Sequence, residues 1–534
     1  MPSRVTNADR IISMLQEAGV ERLFGMPGGG SNADLIEAAG NAGLPFSLAH
    51  TETASAFMAA AQAEITGKPG ACLATLGPGA ASLMNGIAHA HLDRVPLLVL
   101  TDCLKERDRH VMLHQGLRHS EMFRPVVKWS ARPGVGEIEQ ALDQALEQVL
   151  SLPPGPVHLD LSSEVTSSQV VGGDTAKSLD ISVETANRRA CATAPARYPV
   201  LLVGLGARSP ETASALRELC ERFHIPALVT YKAKGVIPDH HPWFGGVFTN
   251  ASLESNVLER ADLFIAVGLD PVELLPRPWK FSHPVVSLSA WPTEPSQIPF
   301  SAEWVGDLPS LLNELAASLT PSQWDSAELR GLVDDQRRRM RPEQTPKEWP
   351  LLPHRIVEIT EKIYSGSRIT VDAGAHMFPV MSLWPAEEPS GVLISNGLST
   401  MGFALPAAIG AAFLDTSRPV VAFTGDGGLM MCTGELATAA RAALPLRIIV
   451  FQDNELSLIK VKQEQRGYRT DGVSFGCIDW TGVASGFGVT ARVAANENEL
   501  QSVLRETADI RGPVLIAARI SGESYAATIR ALRG

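Results

Sequence analysis

The sequence predicts an α/β protein of three units, each a parallel sheet with helices between its strands. Three features carry that expectation. The order helix, short apolar run, Gly-rich turn, helix recurs along the chain. The runs are continuously apolar, the pattern of strands buried on both faces of a parallel sheet. Two polar stretches, 164–195 and 320–350, divide the pattern into blocks. Strands alternating with helices imply right-handed crossovers within each block.

The first block opens on a helix over 7–18, capped by Thr6 or Asn7. Its strands fall at 21–24, which stops at Gly25-Met-Pro-Gly-Gly-Gly30, and at 71–74, 96–101 and 156–161. The stretch 164–195, with Ser167-Ser168 and Gly172-Gly173, reads as a linker. The second block has strands at 199–204, 227–230, 263–267 and 285–288. Residues 320–350 read as helix plus linker, with Arg337-Arg338-Arg339 on a solvated helix face. The third block opens at 369–372 and continues through strands at 392–395, 420–424, 448–451 and 514–517. The expected domains are therefore 1–165, 190–325 and 350–534.

Composition narrows the function. Hydrophobic residues are 45% and charged residues 19% of 534 residues, a balance that excludes a disordered chain. A net charge of −12 without a long basic run argues against nucleic-acid binding. The N-terminal segment lacks an apolar signal-peptide core, and no run of about 18 apolar residues predicts a membrane span. Six scattered cysteines without a Cys-x-x-Cys pair suit a reducing cytoplasm.

The chemistry concentrates in the third block. The run 420–424 leads into Gly425-Asp426-Gly427-Gly428, and a helix with Glu435 and Leu436 follows. Twenty-five residues after Gly427, a second strand ends in Gln452-Asp453-Asn454-Glu455. Both strand ends belong at the carboxyl edge of one sheet, where open α/β sheets bind ligands. Glycines let backbone approach a diphosphate. Asp426, Asn454 and the Leu456 carbonyl are hard oxygen ligands suited to the Mg²⁺ that a diphosphate needs.

Gly-Asp-Gly, the interval and Asp453-Asn454 strongly resemble the cofactor motif of thiamine-diphosphate-dependent enzymes. That motif usually ends in Asn-Asn, so Asp453 is a departure. Phe24-Gly-Met-Pro-Gly-Gly, Ala49-His-Thr-Glu52, Leu76-Gly-Pro-Gly-Ala80 and 396–410 resemble the acetolactate synthase, pyruvate oxidase and benzoylformate decarboxylase branch. The resemblance covers nearly the whole chain and implies pyrimidine-binding, middle and diphosphate-binding domains in that order. It implies that Glu52 tunes the cofactor's pyrimidine, although Glu52 also reads as an ordinary first-turn helix acid. Met401 matches the bulky residue under the cofactor, and Ser399 the carbonyl that meets the pyrimidine amino group. Gly28, Gly29, Gly374, Ala375, His376, Gly425, Gly427, Gly428 and Ser457 are the remaining expected cofactor contacts. Glu52 and Asp426 lie in different domains, and in this family they serve one cofactor from two subunits. The resemblance thus implies a homodimer or homotetramer.

On the substrate side, Gln115, His114 and Lys128 match positions near the acetolactate synthase active site. Gln463 stands where those synthases carry a gate Trp, Leu76 stands where benzoylformate decarboxylases carry a catalytic His, and the paired histidines of pyruvate decarboxylases are not evident. A site without such proton donors favours joining the decarboxylated fragment to a second carbonyl. The expected activity is therefore 2-oxo acid decarboxylation with carboligation. Simple decarboxylation, C–C lysis and flavin-dependent oxidation remain alternatives. Gly204-Leu-Gly206 admits an adenine dinucleotide such as FAD, but 268–276 does not resemble the flavin-contacting segment of the synthases.

Overall fold

The computed structural model describes residues 5–170, 196–341 and 351–533. It contains three six-stranded, wholly parallel sheets. The first comprises β1 (Leu23–Gly25), β2 (Phe46–Leu48), β3 (Gly70–Ala74), β4 (Leu97–Asp102), β5 (Trp129–Ala131) and β6 (Val157–Leu161), in the order β2-β1-β3-β4-β6-β5. The second comprises β7 (Pro199–Val203), β8 (Ala227–Val229), β9 (Phe244–Val247), β10 (Leu263–Val267), β11 (Val285–Ser289) and β12 (Ala302–Val305), in the order β12-β11-β10-β7-β8-β9. The third comprises β13 (Ile369–Val371), β14 (Val392–Ile394), β15 (Val420–Gly425), β16 (Leu446–Gln452), β17 (Thr490–Ala494) and β18 (Val514–Arg519), in the order β14-β13-β15-β16-β18-β17.

The apolar runs became strands because their side chains are buried on both faces. Every residue of β4, β7, β10 and β16 is buried. The strands without such a run, β2, β5, β9, β12 and β17, all lie at sheet edges. The first helix, Asn7–Glu17, starts where its cap dictates. Thr6 Oγ1 accepts from Asp9 N–H, and the Asp9 carboxylate accepts from Thr6 N–H.

The chain forms two compact units. The first holds 1–182, 405–416 and 432–444, and the second holds the rest. Within the first, Gln62 Nε2 donates to the Gly410 carbonyl at 3.1 Å. Within the second, helix Ser326–Arg339 ends in the three arginines, which are not merely solvated. Arg337 reaches Asp239, and Arg339 donates to the carbonyls of Leu253 and Ala531. Most of the expected linkers, at 171–195 and 342–350, lies outside the described residues. Among the described residues no helix is long and apolar enough to cross a membrane.

Candidate active site

A cavity of about 220 Å³ opens in the second unit at the carboxyl ends of β13, β15 and β16. The neighbouring order of these strands brings 372–376, 425–428 and 451–459 together, though they are distant in sequence. Gly374, Ala375, His376, Ser399, Met401, Gly425, Asp426, Gly427, Gly428, Leu456 and Ser457 all line it.

Glycine is required at the turn after β15 because there is no room for more. A Cβ at Gly428 would lie 2.2 Å from Asp372 Oδ2, and one at Gly427 would lie 2.9 Å from Leu456 Cδ2 and 3.4 Å from Met401 Cε. Asp372 is the buried tie behind the wall. It accepts from Phe403 N–H at 2.7 Å, Ala404 N–H at 2.9 Å and the Thr424 hydroxyl at 2.7 Å. Those bonds fix the segment that presents Met401. Ser399, at φ 53, makes the left-handed turn ahead of it.

Asp426 is 1% exposed and is the electrostatic centre. Its Oδ2 accepts from Asp453 N–H at 3.1 Å and Asn454 N–H at 2.7 Å, and its Oδ1 from Gly427 N–H at 2.9 Å. Burial, then the charge of Asp453, pushes the Asp426 carboxyl up from its ordinary value. Burial likewise raises Asp453. Two neighbouring carboxylates, Asp426 buried and Asp453 half-buried, make a site that favours a cation.

The expected second ligand, Asn454, does not line the cavity, whereas its neighbours Asp453 and Glu455 do. β16 ends at Gln452, so Asp453 and Asn454 both lie in the turn that follows it. Asn454, at φ 62, aims its Oδ1 toward Gln452 Nε2, 3.4 Å away. Asp453 instead accepts from the Ser457 hydroxyl and from Glu455 N–H. The substitution that read as a departure is thus the residue on the wall.

His376 is 4% exposed, stacks on Phe451 with ring centres 5.2 Å apart, and has no partner for Nε2 among the described residues. Burial pushes its imidazole down to about 3, so the ring is neutral. Tyr525, which sequence reasoning did not single out, completes the wall. Burial, then the charges of Asp453 and Asp426, holds its phenol well above the ordinary value.

Glu52, Gly28, Gly29, Gln115, His114 and Lys128 all belong to the first unit. Glu52 is the first residue of helix Glu52–Thr66, capped by the Thr51 side chain on Ala54 N–H. The turn before it is held by Glu435, whose Oε1 accepts from His50 N–H at 2.8 Å and Thr51 N–H at 3.1 Å. Glu435 had read only as part of a helix. A Cβ at Gly79 would come within 3.1 Å of Glu52 Oε1, which explains the Gly-Pro-Gly opposite. Gly28 packs on Thr75 and Asn32.

A second cavity, about 560 Å³, lies in this unit and is lined by Leu76, Gln115, His119 and Asp160, among others. Gln115 adopts φ 57 against Gly77. His119 Nε2 accepts from Gly77 N–H at 3.2 Å, leaving Nδ1–H for Asp160 at 2.8 Å. Burial raises the Asp160 carboxyl, but hydrogen bonds from His119 and His158 outweigh it and hold the group well below the carboxylate range. Neither His114 nor Lys128 lines this cavity. His114 is exposed. Lys128 Nζ donates to the Ser151 hydroxyl at 2.6 Å and the Ser151 carbonyl, at the end of helix Ile138–Leu150. The helix leaves that carbonyl unpaired, and the lysine supplies the missing donor.

The Gly204–Gly206 turn does not fit an adenine dinucleotide. A diphosphate there needs free backbone N–H groups. Gly204 N–H donates to Val267 O, Gly206 N–H to Gly268 O and Leu205 N–H to Glu273 Oε2 at 2.9 Å. A Cβ at Gly204 would lie 2.4 Å from Leu269 Cα and 2.5 Å from Glu273 Oε2. The turn is packed by its own domain.

Comparison with known proteins agrees with this geometry. Residues 5–123 match the N-terminal TPP binding domain of thiamine pyrophosphate enzymes, 192–315 their central domain, and 372–518 their C-terminal TPP binding domain. The chain is 30% identical over 526 residues to acetolactate synthase of Bacillus subtilis (strain 168), covering 95% of this chain and 92% of that protein. It is 30% identical over 536 residues to the catabolic acetolactate synthase of Raoultella terrigena, covering 96% and 94%. Against the large subunit of acetolactate synthase isozyme 1 of Escherichia coli (strain K12), identity is 29% over 552 residues, covering 97% and 95%.

Proposed function

The chain belongs to the thiamine pyrophosphate enzymes, and on that premise we propose that it decarboxylates a 2-oxo acid and joins the product to a second carbonyl compound. The observation that carries this reading is the likeness to acetolactate synthases along nearly the whole chain. Bound thiamine diphosphate supplies a nucleophilic carbon and then holds the electrons freed by loss of CO₂. The protein's residues do the rest.

In this reading Asp426 and Asp453 would hold Mg²⁺, with a backbone carbonyl from 454–456 beside them, and the metal would offset the charge of the diphosphate. The support is a pair of carboxylates on one cavity wall, Asp426 buried and Asp453 half-buried. His376, neutral and stacked, turns a ring nitrogen to a diphosphate oxygen. Met401 supports the cofactor from below, beside the space that Gly427 leaves open. Glu52 relays a proton to the pyrimidine. We assign Glu52 to one subunit and the diphosphate cavity to another, as the family resemblance implies. The assembly is then at least a dimer. The three family domains correspond to 1–165, 190–325 and 350–534. Free thiols at all five described cysteines support a reducing, cytoplasmic setting.

Carboligation is preferred over simple decarboxylation because His119 has both ring nitrogens engaged, by Gly77 and Asp160. Its one ring proton is committed to Asp160. The occupied Gly204 turn supports an enzyme without flavin. The test is a panel of 2-oxo acids with Mg²⁺ and thiamine diphosphate, with and without aldehyde or 2-oxo acid acceptors, products read by mass spectrometry. Ligated products are expected. Aldehyde as the sole product, or a flavin absorption band in the purified protein, would refute the reading.

A further inference from the structure

We propose that the C-terminal segment is part of the diphosphate site and that Tyr525 is a cofactor-binding residue, its hydroxyl donating to a diphosphate oxygen. The inference rests on the thiamine-diphosphate reading above and extends it to a residue outside the cofactor motif.

The path of the chain carries the argument. β18 pairs with β16 to its end, with Gln452 opposite Arg519. The contact continues past the strand, because Ile520 N–H donates to the Gln452 carbonyl at 3.0 Å. That bond brings the outgoing chain beside Asp453. A single tight turn, Gly522–Ser524, then leads into helix Tyr525–Arg533. The turn fits only because residue 522 is glycine. A Cβ there would lie 2.4 Å from Ser457 Oγ and 3.3 Å from Asp453 Oδ2. The segment therefore wraps closely around the Asp453–Ser457 pair on the cavity wall.

The helix that follows is firmly held. Ser252 N–H donates to the Leu532 carbonyl at 2.9 Å, and Arg339 donates to the Ala531 carbonyl at 3.2 Å. Ile529 and Leu532 share an apolar cluster with Phe378 and Val461. The helix thus rests on Met377–Leu383 and Ser457–Gln465, the two helices that start at the cavity.

Tyr525 sits at the head of this helix, 2% exposed, and lines the cavity. Its hydroxyl makes no hydrogen bond to a described residue and opens on the cavity instead of being sealed in the core. A phenol at a cavity wall is free to donate to a ligand that enters. A phenol is a donor at neutral pH, with an ordinary pKa of about 10. A residue beside two carboxylates, in a cavity sized for a small anion and its metal, meets an acceptor when the diphosphate enters.

Titration calorimetry on the full-length protein tests this. Tyr525→Phe removes one oxygen and keeps the ring, so its thermal midpoint should be unchanged. With Mg²⁺ present, it should bind thiamine diphosphate about tenfold more weakly than the parent, as for one hydrogen bond to a charged acceptor. Inorganic pyrophosphate with Mg²⁺ should weaken by a similar factor, which locates the contact on the phosphates. Affinities within twofold of the parent overturn the proposal. So does a loss confined to thiamine diphosphate with pyrophosphate unaffected. If the parent itself binds neither ligand, the thiamine-diphosphate reading fails, a result distinct from either of these.

Discussion

Two glycine turns in this molecule follow buried strands and read alike in sequence, yet one is open and the other closed. Gly425-Asp426-Gly427-Gly428 leaves β15 and borders a cavity. Gly204-Leu205-Gly206 leaves β7 and packs against Gly268, Leu269 and Glu273. The difference lies in where the nearest carboxylate comes from. At the first turn it is on the turn itself, and Asp426 spends its oxygens on N–H groups of Gly427 and the end of β16. The space above stays clear. At the second it comes from Glu273, which reaches back to take Leu205 N–H and occupies the place of a phosphate. A glycine pattern therefore announces a close approach of backbone. It does not say whether the approaching group is a ligand or the protein.

The open turn breaks most easily. Asp426→Ala should lower Mg²⁺-dependent thiamine diphosphate affinity by more than roughly 100-fold, since changes outside the ligand shell alone cost 10–100-fold. Calorimetry reads it. The same assay separates the two neighbours at the end of β16. Asp453→Asn removes a charge from the wall and should weaken metal binding clearly, whereas Asn454→Ala should stay within about threefold. A reversal of that order would return the metal to Asn454.

The next effect falls on rate rather than binding. Glu52→Gln keeps size and polarity but cannot relay a proton, so kcat should drop about 10²–10⁴-fold. Cofactor affinity should remain near the parent's, because the diphosphate anchor is untouched. Hydrogen–deuterium exchange at the cofactor's reactive carbon, followed by NMR after acid quench, is the direct measurement. Exchange as fast as in the parent would make Glu52 a first-turn helix acid only.

How much of this was legible follows from the same contrast between chain and contact. Central strands such as β10 and β16 announce themselves because both faces are buried and every position is apolar or tightly packed. β5 and β17 do not, since their residues are mostly half-exposed and the sequence reads as loop. β9 is buried but carries Gly245 and Gly246 and a register shift, which hides it. At the site, the motif located the turn, but not that Asp453 lines the cavity while Asn454, left-handed just past the strand, turns toward Gln452. Tyr525 and Glu435 left no local signal, because each acts across the fold on residues far away in sequence.

The closed turn can be probed by pH. Burial pushes the Glu273 carboxyl up to about 7 from an ordinary 4.5. The folded chain then keeps a proton that the unfolded chain releases, so stability falls as pH rises from 4.5 to 7 and levels off beyond. The size is of the order of 3 kcal/mol. Glu273→Gln should flatten that part of the curve of thermal midpoint against pH and should not confer flavin binding. An unchanged slope would place the proton elsewhere.

The smallest expected effect concerns Lys128, where likeness and contact disagree. The matched position suggests catalysis, but the ammonium is bound to the Ser151 hydroxyl and carbonyl, and Gly155 packs on its stem. Burial pushes it down to about 8, so it is still mostly charged at neutral pH. A donor to a helix-end carbonyl acts on stability. Lys128→Met keeps the stem and removes the charge. It should leave kcat within about twofold and cost about 0.5–1.5 kcal/mol, the range for one net hydrogen bond at a half-buried acceptor. Thermal melts and steady-state rates on the same preparation decide it. A large fall in kcat with an unchanged midpoint would move Lys128 from the fold into the reaction, and would mean that its side chain leaves Ser151 when substrate binds.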